Sequence, residues 1–226
     1  MKITLRNLPL IGPILRRRAD PAWRVTSALP QRQGLVVQVG SNDGIGDPVY
    51  KLLQQRPEWR AILVEPVPYV FDLLKKTYGD DPRIRFENVA INAGEPLPFY
   101  WVDAQAAVDL PHLPAHWNQL GSFMKDHITK HLLELKPYVR ETMVTGLTLT
   151  GLLEKNGVGN FDFLHIDTEG YDWKILKQLD LKRWKPRVIL FEHKHLSREE
   201  MAEARAFLRP FYQIVKLRSD TFCRLK

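Results

Sequence analysis

Residues 35–44 read LVVQVGSNDG, and this stretch indicates the fold. Residues 35–39 have the apolar, β-branched character of a buried strand, and the glycines that bound residues 40–44 indicate a tight loop. Asp47 and Pro48 then supply a helix N-cap and a proline at the first helical position. A buried strand, a glycine-containing loop and a helix in this order are typical of an open α/β sheet whose loop approaches a ligand.

The same alternation of short apolar runs and helical patterns continues to Leu225, which predicts βα units on a mostly parallel sheet. Ser197 and Glu200 predict a capping box at the start of the last helix. The predicted core strands are residues 35–39, 61–64, 84–91, 161–166 and 187–191, with further strand character at residues 97–102 and 138–149, and a hairpin at residues 211–217 and 221–225. The sequence therefore predicts an α/β fold with a doubly wound, mostly parallel sheet and a C-terminal antiparallel hairpin.

Two segments depart from this alternation. Residues 1–33 precede the first strand and contain an Arg-Arg-Arg cluster, so we predict an N-terminal basic extension followed by one domain over residues 34–226. Residues 103–137 have no clean period and are long for a connection. We predict that they form a partly helical, lid-like insertion, because long insertions often carry substrate contacts.

The composition is that of an ordinary globular protein, with 44% hydrophobic and 26% charged residues. The single cysteine, Cys223, excludes a disulfide within this chain and favours a cytoplasmic location. No apolar run reaches the roughly 18 residues of a membrane span. Arg6 and two prolines interrupt the apolar residues 3–15, so we expect no signal peptide, while a surface-anchoring role for that segment stays open. The formal charge of +7 fits acidic partners and also ordinary solubility.

The residues that end the predicted core strands form a chemical set. They are the loop 40–44, Glu65, residues 88–90, residues 167–170 and the pair Glu192-His193. In open α/β sheets, ligands bind outside the carboxyl ends of the strands. A glycine loop lets the backbone approach a ligand, and an acidic residue after the second strand can accept both hydroxyl groups of a ribose. The loop and Glu65 together predict an adenosine-type ligand.

The spacing of the glycines discriminates between adenosine-type cofactors. A dinucleotide site requires G-x-G-x-x-G, but Asn42 stands two residues after Gly40, and the frame from Gly44 has Val49 in place of the third glycine. Asp43 would repel a pyrophosphate and attract a cationic ligand. We therefore predict S-adenosylmethionine, with its sulfonium and amino groups, as the cofactor.

Each of these residues also has a purely structural interpretation. Asp167 and Glu169 are compatible with caps of the helix that begins near residue 170, because carboxylates favour that end of the helix dipole. Glu65 is compatible with a solvated strand end. His193 and His195 are compatible with surface or hydrogen-bonded structural roles. The combination of these strand-end residues is more specific than any one of them.

Five stretches together resemble the FkbM-type S-adenosylmethionine-dependent methyltransferases. The Asp-x-Glu-Gly element at residues 167–170 is their most specific part. The resemblance implies a class I, Rossmann-like methyltransferase with a seven-stranded sheet, and methyl transfer to the oxygen of a sugar or natural-product hydroxyl. It also implies that Gly40, Asp43 and Gly44 hold the methionine end of the cofactor, and Glu65 its ribose. The matching stretches are residues 36–44, 63–66, 88–91, 161–170 and 189–192.

Methyl transfer is an in-line displacement, so the protein mainly aligns the acceptor and removes its proton. Two mechanisms stay open: His193 acts as a general base, or Asp167 and Glu192 hold a divalent cation that lowers the pKa of the hydroxyl. The candidate catalytic residues are Asp167, Glu169, Glu192 and His193. The candidate cofactor-binding residues are Gly40, Ser41, Asn42, Asp43, Gly44, Glu65, Asn88, Ala90 and Asp167.

Other functions fit fewer of these residues. An RNA methyltransferase fits the basic charge and would use Trp59, Trp101 or Trp117 for base stacking. Residues 167–170, however, lack the Asp/Asn-Pro-Pro-aromatic signature of base amino-group methylation. A non-catalytic adenosine-binding protein would leave Asp167 without a role. We expect a small-molecule or glycan acceptor, with RNA less favoured and the oligomeric state open.

Overall fold

The computed structural model describes residues 20–114 and 116–226. Its central element is a seven-stranded sheet, and two further strands form a separate pair. The strands are β1 (Leu35–Val39), β2 (Arg60–Val64), β3 (Ile84–Glu87), β4 (Pro96–Val102), β5 (Val139–Thr145), β6 (Phe163–Ile166), β7 (Val188–Glu192), β8 (Tyr212–Lys216) and β9 (Asp220–Leu225). The large sheet has the order β3-β2-β1-β6-β7-β9-β8, with β9 antiparallel to both neighbours. The predicted mostly parallel sheet and its C-terminal hairpin are confirmed.

Helices connect the strands, and several of them begin at side-chain caps. Asp47 accepts a hydrogen bond from the backbone N–H of Tyr50 (2.7 Å), and Ser197 and Glu200 form the predicted capping box. Short 3-10 turns lie at Trp117–Gln119 and Leu133–Tyr138. The α-helices are α1 (Pro21–Ala28), α2 (Pro48–Gln55), α3 (Pro68–Tyr78), α4 (Gln105–Asp109), α5 (His127–His131), α6 (Leu149–Lys155), α7 (Asp172–Leu176) and α8 (Arg198–Leu208).

The large sheet is covered by helices on both faces, because alternate strand residues point to opposite sides. In β1, Val37 and Val39 belong to one buried cluster with residues of α6, α7 and α8. Val36 belongs to a second cluster with residues of α1, α2 and α3. The strand order reverses between β1 and β6. The carboxyl ends of the strands at this switch point are where a doubly wound sheet binds its ligand.

The elements around the sheet differ most from the sequence prediction. Strand β3 is shorter than the predicted residues 84–91, and α7 is shorter than the helix predicted at residues 170–179. Helix α6 was not predicted. Helix α1, within the predicted extension, packs on the sheet through Val25, while residues 1–19, including the segment 3–15, lie outside the described residues. Within the described ranges, no helix combines the length and apolar character needed to cross a membrane.

Candidate active site

The loop after β1 begins at Gly40, where the backbone has a φ of 82°. A Cβ atom at this position would overlap the carbonyl oxygen of Asp167 in the loop after β6. Glycine satisfies both the positive φ and the close approach. The Oγ of Ser41 accepts a hydrogen bond from the backbone N–H of Val64 (3.0 Å). The loop therefore holds the ends of β1, β2 and β6 together.

Glu65 follows β2 and is only 6% exposed. Its carboxylate accepts hydrogen bonds from the backbone N–H groups of Asn42 (3.0 Å) and Val67 (2.9 Å). The side-chain amide of Asn88 donates to the backbone carbonyl of Glu65 (2.8 Å). Burial raises the pKa of Glu65 to about 7, although the two backbone hydrogen bonds oppose that shift. The side chain is thus fixed, and each oxygen retains a second lone pair for a ligand hydroxyl.

A cleft lies at this edge of the sheet, and its empty space, together with the open solvent at its mouth, is about 710 Å³. The insertion contributes to the lining through Asn118, Gln119, Gly121 and Phe123, and the ring of Phe123 packs on that of Tyr171 at 4.6 Å between centroids. The predicted site residues that line the cleft are Gly40, Asn42, Glu65, Ala90, Asp167 and Glu169.

Three carboxylates meet where β6 and β7 end. One oxygen from each of Asp167, Glu169 and Glu192 lies within 4.8 Å of the other two. The buried carboxylate of Asp172 connects the two loops, because it accepts hydrogen bonds from the backbone N–H groups of Thr168 (3.3 Å) and Glu192 (3.1 Å).

The crowding of these carboxylates changes their titration. Burial, followed by the charges of Glu192 and Glu169, raises the pKa of Asp167 well above its ordinary value. Burial and the charge of Glu169 raise the pKa of Glu192 to about 8. Glu192 therefore holds a proton at neutral pH, and the crowding of the three carboxyl groups favours an approaching cation.

The other predicted residues lie outside the cleft lining. His193 contacts the C-terminal hairpin, where its Nδ1 lies 3.1 Å from Thr221 Oγ1 and its backbone N–H donates to the carbonyl of Ser219. Burial lowers the pKa of His193. Its catalytic role stays a prediction, as do the roles of the remaining members of this group: Ser41, Asp43, Gly44, Asn88 and Glu192.

Three histidines beside the cleft were not among the predicted site residues. His127 and His131 lie on α5 in the insertion, and their ring centroids lie 4.8 and 5.2 Å from that of His195. Burial lowers the pKa of His195 to about 4, so this ring is neutral at pH 7. His127 and His131 stand at positions i and i+4, which share one helical face. This spacing could have identified these two histidines from the sequence.

The sequence profile of the methyltransferase FkbM domain matches residues 38–214 of this chain. The chain belongs to the FkbM methyltransferase family. As a family member it is an S-adenosylmethionine-dependent methyltransferase, as the strand-end residues and the resemblance predict. No curated protein sequence matches this FkbM methyltransferase significantly.

Several solved structures are similar to this FkbM methyltransferase. A methyltransferase FkbM from Methylobacillus flagellatus KT is 14% identical with a TM-score of 0.53, over 87% of this chain and 45% of that chain. A precorrin-6y C5,15-methyltransferase from Geobacter metallireducens GS-15 is 12% identical with a TM-score of 0.47, over 89% and 84% of the two chains. The N-terminal domain of human METTL16 in complex with SAH is 13% identical with a TM-score of 0.47, over 99% and 70%. The first similarity supports the class I, Rossmann-like fold.

Proposed function

We propose that this FkbM methyltransferase transfers a methyl group to a hydroxyl oxygen of a sugar or another small natural product. The observation that carries the proposal is the cluster of Asp167, Glu169 and Glu192 at the cleft. A hydroxyl is weakly acidic, so its methylation needs a group that removes the proton. A carboxylate whose pKa is raised is a stronger base than an ordinary one, and it suits that task.

The residues of the cleft fit S-adenosylmethionine, which supplies an electrophilic methyl group when it is bound. Glu65 presents rigidly held carboxylate oxygens that can accept hydrogen bonds from the ribose hydroxyls. Val67 and Val89 provide apolar lining that suits the adenine ring. The carboxylate of Asp167 lines the same cleft and attracts the positive sulfonium group. Gly40 lets the backbone approach the methionine portion.

Of the four candidate catalytic residues, only Asp167 and Glu169 line the cleft. Asp167 is the proton acceptor that we favour, because the carboxylate of Glu169 is already paired with His127 at 2.9 Å. Glu192 lies within 4.8 Å of Asp167, so the two carboxylates can share a proton. The alternative is that Asp167 and Glu192 hold a divalent cation that lowers the pKa of the hydroxyl. In both mechanisms the acceptor hydroxyl lies next to Asp167.

RNA is a less suitable acceptor. The carboxylates of Asp167 and Glu169 in the cleft lining would repel nucleic-acid phosphates. Trp59, one of the three tryptophans considered for base stacking, is fully buried in the core. A non-catalytic adenosine-binding protein would bind the cofactor but would not transfer its methyl group.

An isotopic transfer experiment tests the proposed function. The protein is incubated with a cell extract and S-adenosylmethionine that carries a deuterated methyl group, and labelled products are identified by mass spectrometry. We expect an oxygen-linked label in a small molecule or glycan. A label on RNA nitrogen would support the RNA methyltransferase, and cofactor binding without any transfer would support the non-catalytic protein.

The role of Asp167 is tested by the variants Asp167→Asn and Asp162→Asn. Asp162 precedes the amino end of β6, where its side chain accepts a hydrogen bond from Arg32 (3.0 Å), so it is a matched aspartate at the opposite edge of the sheet. We expect Asp167→Asn to lower turnover at least ~100-fold, the scale of a lost general base. Asp162→Asn should stay within a few-fold of wild type. Equal losses in the two variants would contradict the role of Asp167.

A further inference from the structure

A second polar cluster joins the insertion to the ends of the core strands. Its members are His127 and His131 on α5, Glu169 after β6 and His195 after β7, and one ligand atom of each lies within 4.8 Å of the others. His127 Nε2 lies 2.9 Å, and His195 Nε2 lies 3.2 Å, from the same carboxylate oxygen, Glu169 Oε2. Three elements that are distant in sequence therefore converge on one point.

Apolar packing does not account for this cluster, and its hydrogen bonding is incomplete. The Nε2 atoms of His127 and His195 are buried and lie 2.9 and 3.2 Å from one oxygen, Glu169 Oε2, but neither forms a well-directed hydrogen bond with it. Buried polar atoms without well-directed hydrogen bonds destabilise a fold. The ring centroids of His127 and His131 lie 4.6 Å apart, so polar ring nitrogens are gathered at a place where apolar side chains would pack without a desolvation cost. A ligand that binds these nitrogens together would offset the free energy lost by burying them.

The distances and the ligand types fit a metal ion. Zinc binds histidine nitrogen and carboxylate oxygen at about 2.0–2.2 Å, which places two ligands of a tetrahedral site about 3.3 Å apart. The separations of 2.9 and 3.2 Å at Glu169 Oε2 are close to that value. His127 and His131 are four residues apart on one helical face, a spacing that helical zinc sites use. Imidazole ligands select zinc and related transition metals, whereas magnesium and calcium prefer oxygen.

We propose that His127, His131, Glu169 and His195 bind a divalent transition-metal ion, with zinc as the reference ion, and that this ion fixes the insertion against the ends of β6 and β7. Four protein ligands fill a tetrahedral site, which is typical of structural zinc. Gln119 and Phe123, which precede α5 in the insertion, line the cleft. The ion therefore stabilises the wall of the cleft, and it leaves Asp167 available for proton removal.

Cobalt and zinc titrations test the site. The protein is first dialysed against a chelator and then titrated with Co²⁺, whose visible absorption is intense in tetrahedral sites, and next with Zn²⁺ as a competitor. We expect one equivalent of Co²⁺ to bind with a tetrahedral spectrum, Zn²⁺ to displace it, and Zn²⁺ to raise the melting temperature. His131 is the exposed ligand, so His131→Asn should fold normally and bind Zn²⁺ at least about tenfold more weakly. His112→Asn, an exposed site in the same insertion, should bind Zn²⁺ as wild type does.

Two results would overturn the proposal. One is a wild-type protein that gives no tetrahedral cobalt spectrum, and the other is His131→Asn with the Zn²⁺ affinity of wild type. Displacement of Co²⁺ by Mg²⁺ would overturn it as well. The proposal would also fail if Asp167→Asn lost metal binding while His131→Asn retained it. In either case the ion would belong to the carboxylate cluster. Melting temperatures of the chelator-treated variants establish that each is folded.

Discussion

Replacement of Gly40 by alanine tests whether the contact between the loops after β1 and β6 organises the site. Gly40 has a φ of 82°, and Gly46 has a φ of 83°. A Cβ atom at Gly40 would overlap the carbonyl oxygen of Asp167, whereas a Cβ atom at Gly46 would have no described atom within 4 Å. Gly40→Ala and Gly46→Ala therefore share the backbone strain, and they differ in the steric clash.

The expected magnitudes follow from these two terms. An alanine in the left-handed region costs roughly 1.5 kcal/mol, and this should be the whole effect of Gly46→Ala. The clash in Gly40→Ala adds strain of about 2 kcal/mol, as overpacking does. In a protein of this size, 1 kcal/mol lowers the melting temperature by about 2–4 °C. We therefore expect a decrease of about 3–6 °C for Gly46→Ala and about 7–14 °C for Gly40→Ala.

The two variants should differ more strongly in activity than in stability. Relief of the clash in Gly40→Ala requires the Asp167 backbone to move by an amount on the order of 1 Å, and a displacement of that size at a reacting group lowers turnover about 100-fold. Gly46→Ala should retain nearly full turnover. Thermal melting by circular dichroism and transfer of a labelled methyl group measure the two effects. If both variants melt and turn over alike, the contact between the loops does not organise the site.

Two further predictions concern charge. Burial raises the pKa of Glu192 to about 8 from an ordinary 4.5. Between pH 4.5 and 8 the folded protein therefore holds a proton on Glu192 that the unfolded chain has released. The free energy of unfolding should fall as the pH rises through that range. Glu192→Gln should reduce this slope, which melting curves at several pH values measure; an unchanged slope would exclude Glu192 as its source. Binding to bulk RNA should be weak and should disappear as salt rises, as nonspecific phosphate contacts do. Tight, salt-resistant binding to one RNA in a filter assay would contradict the choice of a small acceptor.

The central sheet could be predicted from the sequence because its core strands are buried on both faces. Such strands read as continuous apolar runs, as residues 61–64 and 188–191 do, and each of these runs is followed by a glutamate. Parallel strands bring these ends to one edge of the sheet. Glu65 and Asp167 could therefore be assigned to a common site, and the structure places both in the lining of one cleft.

The insertion and its contacts could not be predicted in the same way. Helices as short as α4 and α5 have no amphipathic period, since their stability comes from packing against the rest of the protein. The proximity of His127 to His195 joins residues that no local pattern connects. Helix α6 was missed because the strand prediction continued to Leu149, whereas Thr148 caps the helix by accepting a hydrogen bond from the backbone N–H of Gly151 (2.9 Å).

Calorimetric titration with S-adenosylmethionine tests the central claim, that the cofactor binds in the cleft with Glu65 on its ribose. Glu58 provides a matched control, since it is an exposed glutamate just before the amino end of β2. Loss of a charged hydrogen bond costs about 1.5–3 kcal/mol, so Glu65→Ala should bind roughly 10- to 150-fold more weakly than wild type. Glu58→Ala should bind as wild type does. Equal affinity in all three proteins, or no binding by wild type, would contradict the claim.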